Sequence, residues 1–232
     1  MKTYAFIFAR GGSKGVYKKN VRKLNNKPLI EYSIKVAKEI DEIESIFVST
    51  DDMEIANIAE NLGAEIISRP QELAQDESPE WLAWQHAINW VIENKGKFDK
   101  FVSLPTTSPL RNANDVFGAI NLFEKGVDIV ITITETNRSP FFNMVEVNKD
   151  KYANLLIKSE DIFIRRQDTP KAFDMTTVAY VTSPNFILNN NNIFDGRVKA
   201  YVVPNERALD IDTELDFLLA EFLIKGGKDA SK

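Results

Sequence analysis

The sequence predicts an α/β protein built on a mostly parallel sheet with helices on both faces. Short apolar runs suited to buried strands alternate with stretches of helical periodicity from Tyr4 to Thr134. The first of these runs stops at a glycine-rich, cationic stretch, Arg10-Gly11-Gly12-Ser13-Lys14-Gly15. A loop at the carboxyl end of a strand is where an open α/β sheet binds its ligands. The 232 residues, 44% of them hydrophobic, supply enough apolar material for one substantial core.

In chain order, Tyr4–Ala9 reads as the first strand. Lys27-Pro28-Leu29-Ile30 opens a helix, with Pro28 in its first turn and Leu29, Ile30, Ser33, Ile34, Val36 and Ala37 on one face. Ser45–Thr50 is the second strand, and Asp52 is placed to cap a helix from Met53 to about Leu62. A short strand covers Glu65–Ile67. Ser78 is expected to cap a helix that has Pro79 at its first position. Its apolar face holds Trp81, Trp84, Ala87, Ile88 and Val91, and the lone His86 on it reads as a packed or surface residue. Lys100–Leu104 is a central strand, Asn114 starts a helix that runs to about Lys125, and Asp128–Thr134 has the strongest strand character. From Asn137 the alternation fails. Met144–Val147 and Ala153–Ile157 read as short strands around a charged turn, so residues from about 137 to 175 form an inserted arm on a single domain spanning 1–232. Thr177–Thr182 and Lys199–Val203 return to strand. The asparagines 189 to 192 mark a turn or helix end. A final amphipathic helix follows Asp210-Ile211-Asp212-Thr213, capped by Asp212 or Thr213, and the residues from Gly226 are expected to fray.

A formal charge of −5 disfavours nucleic acid as a partner, since backbone phosphates attract a basic face. The absence of cysteine excludes disulfides and thiolate chemistry, and one histidine excludes a multi-histidine metal site. No stretch is apolar for the roughly 18 residues that a membrane span needs, and no cleavable leader pattern is seen, so the expected compartment is the cytoplasm.

Adjacent glycines bring bare backbone N–H groups close to a ligand, and Arg10, Lys14, Lys18 and Lys19 surround them with positive charge. The glycines at 11, 12 and 15 match neither a P-loop nor Gly-x-Gly-x-x-Gly. Taken alone, the stretch fits either a phosphate cradle or a glycine-rich turn with a solvated basic rim. Asp51-Asp52, Thr106 to Ser108 and Thr134-Glu135 also follow strands and are expected on the same rim. Asp210 and Asp212, two apart in extended chain, point to one side and suit a hard cation such as Mg²⁺ shared with phosphate oxygens. The same two residues fit a helix cap beside a solvated aspartate.

Five ordered segments together resemble the acylneuraminate cytidylyltransferases, the CMP-sialic-acid synthetase group. They are Ala9 to Gly15 with Lys19-Asn20; Val48-Ser49-Thr50-Asp51; Arg69-Pro70 with Glu72-Leu73-Ala74 and Asp76; Thr107-Ser108-Pro109-Leu110-Arg111; and Asp210 to Asp216. The resemblance implies a doubly wound α/β nucleotide-binding domain with a dimerisation arm, and hence a homodimer. It implies that Ala9, Arg10, Gly11, Gly12, Ser13, Lys14, Lys19, Asn20 and Arg69 hold CTP. Asp210 and Asp212 would carry Mg²⁺. Arg166, Gln167, Tyr180 and Phe194 would meet the sugar acid. The implied reaction is attack of the acceptor's anomeric hydroxyl on the α-phosphorus of CTP, with release of pyrophosphate. Arg10 and Lys19 would offset charge, and Asp212 would serve as base or as metal ligand only.

Three positions depart from the family pattern. Pro105 stands in place of a glutamine, Asp174 in place of an arginine, and Thr176-Thr177 in place of Asn-Gly. The last two changes imply an acceptor other than N-acetylneuraminate itself, such as a legionaminic- or pseudaminic-type nonulosonic acid. An octulosonic acid or a phosphonate is an alternative acceptor, and a nucleotide-binding regulatory protein without turnover is an alternative of another class.

Overall fold

The computed structural model describes residues 1–12 and 15–226. Ser13 and Lys14 of the cationic loop, and the tail expected to fray beyond Gly226, lie outside the described residues.

The strand β1 (Thr3–Phe8) leads into the loop, and a small hairpin follows, β2 (Lys23–Leu24) with β3 (Lys27–Pro28). Asn25 and Asn26 turn it with φ of 46° and 66°, the left-handed pair that a two-residue hairpin loop needs. Pro28 closes this hairpin, so the helix α1 (Leu29–Lys38) starts one residue later than the sequence suggests. After β4 (Ile43–Thr50), the helix α2 (Met53–Asn61) is capped as expected. The Asp52 carboxylate accepts from the backbone N–H groups of Glu54 and Ile55 at 2.7 and 3.0 Å.

β5 (Glu65–Ser68) precedes α3 (Glu80–Lys95). Ser78 does not cap α3. Pro79 is extended and takes the capping place without a side-chain bond, and the Ser78 hydroxyl donates back to Glu72 O at 3.1 Å. β6 (Lys100–Ser103) is followed by α4 (Ala113–Leu122), which is capped by Asn112 in a reciprocal box with Asp115. After β7 (Ile129–Glu135), the arm carries an exposed antiparallel pair, β8 (Val145–Val147) and β9 (Ala153–Leu155). The remaining elements are β10 (Phe173–Thr182), α5 (Pro184–Asn189), β11 (Val198–Val202) and α6 (Glu214–Gly226). The asparagine run does sit at a helix end, that of α5. Thr213 and Asp216 cap α6 mutually, with Asp216 Oδ2 accepting from the Thr213 N–H at 2.7 Å.

One seven-stranded sheet has the order β11-β7-β10-β6-β1-β4-β5. All neighbours pair parallel except β10, which is antiparallel to both β6 and β7. Successive strands run outward from β1 to β4 and β5, and then β6 falls on the other side of β1. The crevice beyond the carboxyl ends of β1 and β6 is therefore the topological switch point where such sheets bind ligands. The pairing of β10 with β7 shifts register between Thr176 and Tyr180. The Thr132 hydroxyl fills the break by accepting from Ala179 N–H at 3.0 Å and from the Thr176 hydroxyl at 2.8 Å.

Helices α1, α2 and α4 cover one face over an aliphatic core, and α3 covers the other over an aromatic one that includes Phe6, Phe47, Trp84 and Phe101. A third cluster, Val16, Leu24, Leu29, Ile211, Phe217 and Ala220, joins the loop after β1 to the segment before α6. Burying such a side chain fully contributes about 1.5–3 kcal/mol. Among the described residues no helix is long and apolar enough to cross a membrane.

Candidate active site

The cationic loop leaves β1 with Ala9, whose N–H continues the sheet by donating to Ser49 O at 3.1 Å. The Gly11 N–H donates to Asp51 Oδ1 at 3.1 Å, while Gly12 stands in open space. Gly15 lies so close to the Asp212 carbonyl oxygen that a Cβ there would collide with it. Only glycine lets the loop lie against the Asp210–Asp212 segment.

Val16 and Ile211, both fully buried, hold the two segments together from below. With Ile211 pointing into the core, Asp210 and Asp212 face the cleft, as their spacing predicts. The Lys19 ammonium bridges the segments. It donates to Ile211 O at 2.7 Å and lies 3.6 Å from Asp212 Oδ1. Its side chain is only 15% exposed, so it is not a solvated rim lysine. Asn20 is buried, donates to Arg10 O at 2.9 Å and accepts from the Thr106 hydroxyl at 2.6 Å. These bonds tie the loop to the turn after β6. Arg10 reaches across the opening to Asp76 at 2.6 Å. Lys18 turns outward to Glu54 at 2.7 Å.

A cleft of about 320 Å³ runs from Arg10, Thr106, Thr107 and Asp212 to Arg69, Glu80 and Tyr180. It opens into a hollow of about 280 Å³ beside Gly15, Lys19 and Asn20, with Phe8, Arg10, Thr106, Thr107 and Asp212 lining both. Arg69 is buried, and it donates through Nε and Nη2 to Ser49 Oγ and Ser49 O at 3.1 and 2.8 Å. Burial lowers its affinity for the proton, and Glu80 and Asp51 oppose that. Glu80 faces the cleft at the start of α3. Partial desolvation by neighbouring protein raises its carboxyl above the usual range although the residue is open to the cleft, the Trp84 indole N–H and Arg69 oppose the rise, and Asp210 adds to it. Tyr180 is pushed up to about 12, by burial first and then by Glu80 and Asp210, so its hydroxyl stays protonated at neutral pH.

Two groups without an assigned role in the sequence help shape the site. Arg111 is fully enclosed and pins the Pro105 to Ser108 turn. It donates to Ser108 O at 2.9 Å, Val178 O at 2.6 Å, Ser33 Oγ at 3.0 Å and Pro105 O. Burial pushes its guanidinium down to about 9, against the attraction of Asp210 and Asp115, so it remains a cation at neutral pH. An arginine directly after Thr107-Ser108-Pro109-Leu110 is the signal that could have marked it. Thr177, turned out by the break in β10, lines the cleft and bonds to the hydroxyls of Thr107 and Ser108 at 3.1 and 2.7 Å.

Asp210 Oδ1 is buried and has no hydrogen-bond partner among the described residues. An orphaned carboxylate oxygen beside a second, 75% exposed carboxylate at Asp212 suits a hard cation. No group of three or more potential ligands gathers among the described residues. The protein would thus supply two carboxylates, leaving the other positions of a divalent ion to water and phosphate.

Other expected site residues lie elsewhere. Arg166 and Gln167 line a separate cavity of about 190 Å³ at the root of the arm, with Arg138, Lys171 and Glu135. Phe194 is 67% exposed on a 3-10 turn after α5 and is not among the residues lining the cleft. Asp174 pairs with Thr134 in the sheet, also outside the cleft lining. His86 is half-buried on α3 and also outside the cleft.

A family model described as "Cytidylyltransferase" matches residues 4–197. The post-translational flagellin modification protein B of Campylobacter coli is 37% identical over 223 residues, 94% of this chain and 93% of that protein. The CMP-N,N'-diacetyllegionaminic acid synthase of Campylobacter jejuni is 37% identical over 222 residues, with the same coverage. The pseudaminic acid cytidylyltransferase of C. jejuni is 29% identical, with 97% of each chain covered. Among solved structures, a CMP:2-keto-3-deoxy-manno-octonic acid synthetase complexed with CTP superposes with a TM-score of 0.73 at 15% identity. That match covers 98% of this chain and all of the other, and it shows the shared fold.

Proposed function

We propose, from the premise that this chain belongs to the cytidylyltransferase family, that it transfers CMP from CTP to a nonulosonic acid of the legionaminic or pseudaminic type. The observation that carries the reading is a cleft and an adjoining hollow, sharing Arg10 and Asp212, that bring Lys19 and Asp210 together at the sheet's switch point. The acceptor class rests on the 37% identity to a CMP-N,N'-diacetyllegionaminic acid synthase and the 29% identity to a pseudaminic acid cytidylyltransferase.

The triphosphate lies in the hollow beside Gly15, Lys19 and Asn20, where the cations of Arg10 and Lys19 meet it. The acceptor's anomeric oxygen attacks the α-phosphorus, the bond to the bridging oxygen breaks, pyrophosphate leaves, and the hydroxyl proton passes to Asp212 or to water in the open cleft. Lys19 and Arg10 offset the charge that builds on the phosphate oxygens. Lys19 is already oriented by Ile211 O, so little rearrangement is needed when that charge appears. Arg10 must exchange Asp76 for phosphate, which links nucleotide entry to release of the Arg10–Asp76 pair. Asp210 and Asp212 would hold Mg²⁺, which when bound neutralises phosphate charge and lowers the pKa of the attacking hydroxyl. Tyr180, Thr106, Thr107 and Thr177 give the cleft the neutral hydroxyls that suit a polyhydroxylated acceptor. The test is pyrophosphate release from CTP with a panel of legionaminic, pseudaminic, N-acetylneuraminic and 3-deoxy-manno-octulosonic acids. Release is expected with one of the first two, and release with none of the four would overturn the reading.

Residues 1–232 form one nucleotidyltransferase domain in this proposal, supported by a sheet that collects strands from Thr3 to Val202. The reaction takes place in the cytoplasm, where CTP is made. The arm from about 137 to 175 pairs with a second copy. Ile162 and Ile164 on it are 93% and 83% exposed, and Val145 and Val147 add to the apolar surface. A two-fold dimer would bury these residues and bring the arm cations Arg138, Arg166 and Lys171 to the partner. Sedimentation at micromolar concentration is expected to give twice the chain mass, and a single-chain mass would refute the pairing.

A further inference from the structure

We propose that Glu80 reads the base of the nucleotide, accepting a hydrogen bond from the 4-amino group of cytosine and turning away uracil. The inference rests on the reading of the cleft as the CTP site.

The hollow at Gly15 and Lys19 is the cationic part of the site, so the nucleoside extends into the connected cleft toward Phe8, Arg69 and Glu80. At that end the wall presents two polar groups that the fold does not satisfy. Arg69 spends Nε and Nη2 on Ser49, and its Nη1 has no acceptor among the described residues. Glu80 accepts from the Trp84 indole N–H through Oε1 at 3.1 Å, while its Oε2 accepts nothing among the described residues. The indole bond fixes the carboxyl, and the Trp84 N–H and the Arg69 cation favour its ionised form, so Oε2 is a positioned acceptor and not a mobile one. The Phe8 ring, 5.6 Å from the Arg69 guanidinium, and Ala83 give the same end an apolar surface.

A free donor beside a free acceptor is the complement of one pyrimidine edge. Cytosine offers acceptors at O2 and N3 and a donor at its amino group, and carboxylates characteristically accept from that amine. Uracil puts an acceptor, O4, where the amine would be, so its lone pairs would face those of Glu80 Oε2. Discrimination thus combines a bond gained with CTP and a repulsion imposed on UTP. Pro105, which also lines the cleft, has no side-chain polar group to share this task.

The experiment compares kcat/KM for CTP and UTP in the wild-type chain and in Glu80→Gln. Glutamine keeps an oxygen for the Trp84 N–H but offers an amide that can donate to uracil O4. The CTP preference is expected to shrink by about 5- to 150-fold, the range for one base-reading contact. A ratio within about twofold of wild type would show that Glu80 serves only α3 and Trp84. A second measurement needs no variant: the triphosphate of pyrimidin-2-one riboside lacks only the amine. The wild-type chain is expected to use it less well than CTP by a similar factor, and equal use would overturn the inference even if Glu80→Gln fails to fold. Failure of the wild-type chain to turn over CTP with any acceptor would instead remove the nucleotide reading of the cleft, and this inference with it.

Discussion

Lys19→Ala is expected to lower kcat by about 100- to 1,000-fold, the loss that follows removal of a group acting on transition-state charge. The sequence alone suggests a surface residue whose deletion leaves stability almost unchanged, and the structure corrects that. Lys19 is mostly enclosed, and its removal leaves Ile211 O without its donor. Stability should fall by about 1–3 kcal/mol, the usual cost of orphaning a buried acceptor. Rates must therefore be compared well below the unfolding midpoint of the variant. Lys18→Ala is the control, since Lys18 points to Glu54 at the surface, and its turnover should stay close to wild type. If Lys19→Ala keeps turnover within about threefold of wild type at that temperature, far inside the range for such a group, the loop is only a turn.

Asp210→Asn should be nearly as damaging to turnover and far gentler to the fold. The shape is kept and one charge is lost. Loss of metal-held charge stabilisation amounts to several kcal/mol, and each ~1.4 kcal/mol is tenfold in rate, so a fall of at least about 100-fold is expected. Two effects on stability oppose each other. The variant loses an attraction that helps keep Arg111 charged, but it no longer buries an unpartnered carboxylate oxygen. The unfolding midpoint should stay near wild type. Asp212→Asn, at a 75% exposed side chain, should move it even less while also lowering turnover. Weakened Mn²⁺ binding, followed by electron paramagnetic resonance, provides a readout independent of activity. Near wild-type turnover of both variants at saturating Mg²⁺ would refute the metal assignment.

Much of the parallel sheet was legible because each buried strand is a short apolar run ended by a loop-forming residue, as Phe8 by Arg10-Gly11 and Thr50 by Asp51-Asp52. The antiparallel direction of β10 was not, since direction is set by which neighbours a strand meets and Thr176-Thr177 breaks its apolar pattern. The hairpin at Asn25-Asn26 carried a readable signal in its two consecutive asparagines. In the site, the Asp210 and Asp212 pair was legible from spacing, because alternation in extended chain is a local property. Glu80 was not, since an acid in the first turn of a helix has an ordinary explanation there. Arg166 and Gln167 sit at the root of the arm, where their surroundings depend on how the arm is covered, and Phe194 lies on a turn after α5, so a single chain does not bring these three to the cleft.

The third cluster of Val16, Ile211 and Phe217 also bears on how the protein is made. The partners in the bond from Lys19 to Ile211 O are 192 residues apart, so the ribosome delivers the cationic loop well before the carboxylates. Until the later segment emerges, Val16 and Leu29 have no Ile211 or Phe217 to bury them, and the loop has no wall to rest on. A chain halted before Asp210 would contain every strand of the central sheet and still lack the wall that Asp210 and Asp212 give the cleft. Emergence of the Asp210 to Phe217 segment is thus the step that completes the cleft wall.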